Sequence, residues 1–141
     1  MKDSKALLWA IVVAVALIAL WVVFRAPVGE PELETPSEST VMLNEQNESG
    51  QSGQATLEEE EGGTMVVITA EASYIEPQLA HIHSGTCEDL GGVVYPLSLV
   101  VGGYSETFVA VSLQELLDGE FAINLHDPQD PSIYTSCGDI Q

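Results

Sequence analysis

The chain has 141 residues, with 3 Lys or Arg against 22 Asp or Glu and a formal net charge of −19. That length holds one modest domain plus appendages. The cations are Lys2, Lys5 and Arg25, so everything after residue 25 carries only negative charge; such a surface repels phosphate backbones and anionic lipid, which excludes nucleic-acid binding, and it draws cations towards itself.

Residues 1–5 (MKDSK) precede an apolar run, Ala6 to Phe24, that contains no charge, Pro or Gly. As a helix its nineteen residues reach roughly 28 Å, close to the hydrocarbon thickness of a bilayer. Trp9 and Trp21 stand near its two ends, where indole rings favour the interface. The flanking lysines favour a cytoplasmic N-terminus, with the remainder exported. A cleaved signal peptide is the competing reading. Its apolar region would be shorter and would end in a small-x-small site, whereas here the run ends Val-Val-Phe-Arg before Ala26-Pro27. The expectation is a single-pass signal anchor in the cell membrane over 6–24.

Residues 25–63 are rich in Pro, Glu, Ser, Thr, Gln, Asn and Gly, and end in Glu58-Glu59-Glu60-Glu61-Gly62-Gly63. With so little apolar surface to offset ordering entropy, this stretch reads as an acidic, disordered tether. Val41-Met42-Leu43 is a small apolar island within it, and Asn47-Glu48-Ser49 fits a glycosylation sequon.

From Thr64 the composition changes, and 64–141 reads as the extracytoplasmic domain. Met65 to Ile75 is β-branched and predicts a strand. His81 to Ser84 predicts a second and Val93 to Val101 a third, with Pro96 marking an edge or a bulge. Gly102-Gly103 is a hairpin-type turn into Glu106 to Val111. Ser112-Leu-Gln-Glu115 is a capping box that opens a short helix through Leu117. Glu120 to His126 and Ile133 to Cys137 complete the set. The pattern predicts an all-β fold, a small disulfide-stapled β-sandwich or partial Greek-key barrel with one short helix.

All three histidines and both cysteines fall in the last 61 residues. Cys87 and Cys137 lie far apart without CxxC spacing, and export favours a disulfide between them; free thiols or thiolate ligands are the alternative. In a strand, His81 and His83 share one face and Ile82 takes the other. His126, at the end of another strand, closes a candidate triangle of imidazole nitrogens. Imidazoles without thiolate suit copper(II), or less well zinc with a water as fourth ligand. Asp127 and Glu88 are candidate acceptors for the imidazole N–H groups. The bland alternative is two surface histidines and a hydrogen-bonding strand end.

The segments AHIHSGTC, VVYPL, FAINLH and SCGDI, in that order, resemble the copper-zinc superoxide dismutase family and its short relatives. A weaker likeness extends to chordin-type (CHRD-like) bacterial domains. The resemblance spans about residues 80–140. It implies copper ligation by His81, His83 and His126, and a disulfide from Cys87 to the Cys137-Gly138 motif. The chain departs from that pattern in two places. No histidine lies between His83 and His126, so a bridging ligand and a zinc subsite are missing. Tyr134 stands where the family has an arginine that guides its anionic substrate.

These readings describe a membrane-anchored, extracytoplasmic copper-binding domain. The alternatives are a metal-free adhesion or interaction module on an acidic stalk, and a copper-only superoxide dismutase. The sequence names no protein partner.

Overall fold

A computed structural model describes residues 36–71, Tyr74 and 77–141, with scattered helical positions between Trp9 and Trp21. The expected membrane span 6–24 lies largely outside the described residues; among those described, no helix is long and apolar enough to cross a membrane. The chain divides into two units, Met1–Glu34 and Thr35–Gln141, and the second is the β domain.

That domain begins earlier than its composition suggests. Its strands are β1 (Glu38–Glu45), β2 (Gly53–Glu60), β3 (Gly63–Ala70), β4 (Ala80–Thr86), β5 (Asp89–Pro96), β6 (Tyr104–Val109), β7 (Phe121–His126) and β8 (Tyr134–Ile140). The first two lie inside the stretch expected to be a disordered tether, so that expectation fails from residue 38 onward. The cause is alternation. Val41, Leu43, Ala55 and Leu57 are all buried, while Met42 between the first two is exposed. A strand with one wet face needs only two or three inward apolar side chains, and a polar average over both faces hides them.

All eight strands join one curled sheet in the order β5-β4-β7-β8-β1-β2-β3-β6. Every neighbouring pair is antiparallel. The two halves, β5-β4-β7-β8 and β1-β2-β3-β6, meet at a short β1–β8 pairing, Asn44 with Cys137 and Glu45 with Ser136. One apolar cluster draws on both halves, with Leu43, Leu57 and Ile68 from one and Ile82, Ile123 and Leu125 from the other. Burying a side chain of this size stabilises the fold by about 1.5–3 kcal/mol. Gly138 lies where β8 passes β1, and a Cβ there would run into the Met42 carbonyl oxygen.

The other elements follow their local signals. Ser112 caps the short helix Leu113–Asp118 and accepts the Glu115 N–H at 3.2 Å. Leu113 and Leu116 on that helix are buried against the core. Gly102 and Gly103 both take positive φ, 59° and 82°, as the tight turn into β6 requires. Pro96 ends β5, an edge strand, where a missing N–H costs little. Several boundaries differ from the sequence reading: β3 ends at Ala70, β5 runs from Asp89 to Pro96 rather than from Val93 to Val101, β6 runs from Tyr104 to Val109 rather than from Glu106 to Val111, and β8 continues to Ile140.

Candidate metal centre

The register of β4 and β7 builds the centre. Ile82 faces Ile123 across the pair and both are buried in the core. Strand alternation therefore puts His81 and His83 on the opposite face, where Asn124 lies across from His81 and Ala122 from His83. His126 ends β7 on that same face, and its backbone N–H donates to the Leu79 carbonyl at 2.9 Å. The three imidazoles meet with ring centroids 4.8 Å apart for His81 and His126, 5.6 Å for His81 and His83, and 6.2 Å for His83 and His126. One ligand nitrogen from each lies within 4.8 Å of the other two.

Backbone carbonyls fix the tautomers. His83 Nδ1 lies 2.9 Å from the Gly91 carbonyl oxygen, and His126 Nδ1 lies 2.6 Å from that of Pro131. A carbonyl only accepts, so both Nδ1 atoms carry the proton and both Nε2 atoms present a lone pair. His83 Nε2 is buried and has no hydrogen-bond partner. His126 Nε2 lies 2.9 Å from His81 Nδ1, so His81 donates to it. The carboxylates expected in this supporting role do not fill it. Asp127 accepts from the N–H groups of Gln129 and Asp130 in its own loop, and Glu88 is exposed beyond the end of β4.

The electrostatics favour the ligand form of imidazole. Burial pushes His81 below the ordinary histidine value, and His126 and then His83 add to the shift. Burial also lowers His126; its bond to the Pro131 carbonyl opposes the shift and His83 reinforces it. Neutral rings are the ones that coordinate.

The donor set fits an ion of copper or zinc size. Nitrogens about 2.0–2.1 Å from one ion stand about 3.3–3.6 Å from each other. The 2.9 Å pair is tighter than that and the 4.8 Å limit is wider. Because the 2.9 Å pair is a hydrogen bond in the metal-free protein, binding an ion there would also require His81 Nδ1 to give up its proton or His81 to present Nε2 instead.

Tyr134 walls one side of the centre, its ring edge-on to His126 at 5.1 Å and to His83 at 6.4 Å. Cys87 and Cys137 form a disulfide with a Cα separation of 5.9 Å. It ties the segment after β4 to β8, and the Cys87 N–H donates to Asp139 Oδ1 at 2.7 Å.

Sequence reasoning missed the residues that hold this frame. Buried Gln51 and Gln78 exchange two amide hydrogen bonds, at 2.8 and 2.9 Å, and Gln78 Nε2 also donates to the His126 carbonyl at 3.1 Å. Asn47 Nδ2 donates to the Tyr134 carbonyl at 2.9 Å. Ser49 Oγ donates to the Thr135 carbonyl. No signal in the sequence separates these Gln, Asn and Ser residues from those of a disordered segment.

The family model of the CHRD domain matches residues 35–133. That span takes in β1 to β7 and all three histidines. No curated protein and no solved structure matches the chain.

Proposed function

The chain belongs to the CHRD domain family, and from that premise we propose that this small β domain holds a copper ion at His81, His83 and His126. One observation carries the reading. Two imidazoles tied through Nδ1 to backbone carbonyls present Nε2 towards a third ring, and all the ligand atoms lie within 4.8 Å. A histidine kept only to pack or to cap a strand end has no need of a buried, unpartnered Nε2 such as that of His83. Three neutral imidazoles without carboxylate or thiolate favour copper(II) over other divalent ions, with zinc second.

The role that follows is holding or passing copper on the exported side of a membrane. The apolar run 6–24 supports the anchor, and the disulfide supports an oxidising compartment. Electrostatics weigh against rapid superoxide turnover. From residue 26 on there is no Lys or Arg to attract an anion, and Tyr134 stands where the dismutase resemblance would put the guiding arginine. The test is a copper(II) titration of the full chain, following bound metal and electron paramagnetic resonance. One copper per chain with nitrogen hyperfine structure, lost in His83→Ala, is expected. Absence of specific uptake would overturn the proposal.

A second reading, partner docking without metal, rests on the two open sheet edges. Val93 and Val94 on β5, and Tyr104 and Phe108 on β6, are exposed. Under that reading His81→Ala and His83→Ala leave partner binding unchanged.

A further inference from the structure

Asn124 is the remaining polar side chain that β4 and β7 place among the three imidazoles. It lies directly across the strand pair from His81 and two residues before His126 on the same face. It is also diagonal to His83, whose own cross-strand neighbour is Ala122. Directly opposed residues bring their Cβ atoms within about 4.5–5.5 Å, and diagonal ones within reach of a long side chain. On its other side Asn124 pairs with Cys137 of the disulfide. The short amide thus shares the face of the three imidazoles, with a disulfide-linked residue across the pairing on its other side.

Asn124 is fully buried, and neither its Oδ1 nor its Nδ2 has a hydrogen-bond partner. A buried amide left in this way opposes folding, and the oxygen and nitrogen are both affected. Among the described residues, the two other side chains in this condition apart from His83 are the hydroxyls of Ser105 and Ser136. Ser136 pairs with Leu125, whose neighbour across β4 is Ala80, so it belongs to the core-facing register. Asn124 is different because its unpartnered atoms share a face with the unpartnered Nε2 of His83.

We propose that Asn124 completes the metal centre, its amide oxygen serving as the fourth donor beside the three imidazole nitrogens. This rests on the copper-holding reading above and adds a residue to it. The ligand class is a divalent ion that accepts one neutral oxygen with three nitrogens, which admits copper(II) and zinc and disfavours copper(I), a soft ion that gains little from an amide oxygen. A neutral fourth ligand also leaves the loaded centre with the full charge of its ion. A carboxylate in its place would cancel part of that charge and tighten the grip.

The experiment compares the full chain with Asn124→Val and Asn124→Asp, each titrated with copper(II) against a competing chelator and followed by electron paramagnetic resonance. Asn124→Val should weaken copper(II) roughly tenfold or more, with altered copper hyperfine splitting and unchanged stoichiometry. Asn124→Asp should bind more tightly than wild type, again with a shifted spectrum. Wild-type affinity and spectrum in Asn124→Val overturn the proposal, as does an Asn124→Asp protein that matches wild type in both. Asn124→Asp keeps the test open if Asn124→Val does not fold. A wild-type chain that takes up no copper fails at the three-histidine reading itself, whereas wild-type uptake indifferent to residue 124 rejects the fourth donor alone.

Discussion

Two adjacent residues distinguish a structural β1 from a disordered tether. Leu43 is 1% exposed and packs in the shared core, while Met42 is 61% exposed on the outer face of the same strand. Truncating a buried leucine removes its transfer free energy and leaves a cavity, which together cost about 2–5 kcal/mol. The same truncation at an exposed position stays within about 0.5 kcal/mol. For a domain of this size, with a urea m-value of about 1–3 kcal/mol per molar, Leu43→Ala should lower the unfolding midpoint by about 0.7 M at the least and by as much as about 5 M. Met42→Ala should leave it in place. The assay is urea denaturation of the full chain followed by far-ultraviolet circular dichroism, with the m-value checked for constancy. A disordered segment predicts no effect from either substitution. Equal midpoints for the two variants, or a Leu43→Ala loss below about 1 kcal/mol, would refute the assignment of 38–45 to the core.

Other consequences can be measured on the same protein. The disulfide links residues 50 apart in sequence, so Cys87→Ser with Cys137→Ser should cost about 4 kcal/mol in the chain-entropy model; an unchanged urea midpoint would contradict it. His81 and His126 titrate below the ordinary histidine value, chiefly through burial, so the unfolded chain binds more protons than the folded one in this range. Their contribution to the metal-free domain is therefore complete above the unfolded value of about 6.5 and is lost as pH falls from there towards their folded values. A His81→Gln, His126→Gln double variant should show a flatter midpoint profile than wild type between pH 7 and 5, and parallel profiles would contradict the shift. Gly138→Ala forces a Cβ against the Met42 carbonyl and should destabilise through the β1–β8 seam, read as a lowered thermal midpoint. Ser112→Ala removes one helix cap and should cost about 1 kcal/mol, well below the Leu43→Ala loss.

The legible parts of this chain are those whose signal is local. Ile82 between two histidines shows by alternation alone which face each residue takes, and β4 bears it out, with Ile82 buried in the core. Ser112 and Gly102-Gly103 announce a cap and a turn within four residues. The supports of the centre do not work that way. The atoms that orient His83 and His126 are the carbonyls of Gly91 and Pro131. Every residue has a carbonyl, so no residue type marks these two. Asn124 becomes notable only through its register against His81, which needs the pairing of β4 with β7.

The misread tether and the unforeseen supports share one cause. Polar residues between 46 and 51 look like solvated chain, yet Gln46, Asn47 and Ser49 bond the carbonyls of Tyr134 and Thr135, and Gln51 bonds Gln78, which in turn holds the His126 carbonyl. Their composition is that of disorder because their partners are backbone groups and another glutamine, which leave no apolar trace. A domain cut at residue 64 would lose these bonds, uncover Val66 and Ile68 on β3, and leave the carbonyls of Tyr134 and Thr135 without their side-chain donors. The imidazoles would all still be present in such a fragment, and Gln78 would keep its bond to the His126 carbonyl, but Gln78 would lose the two amide bonds by which Gln51 holds it. The stretch with the least apparent structure thus supports the third candidate ligand at one remove, through Gln78.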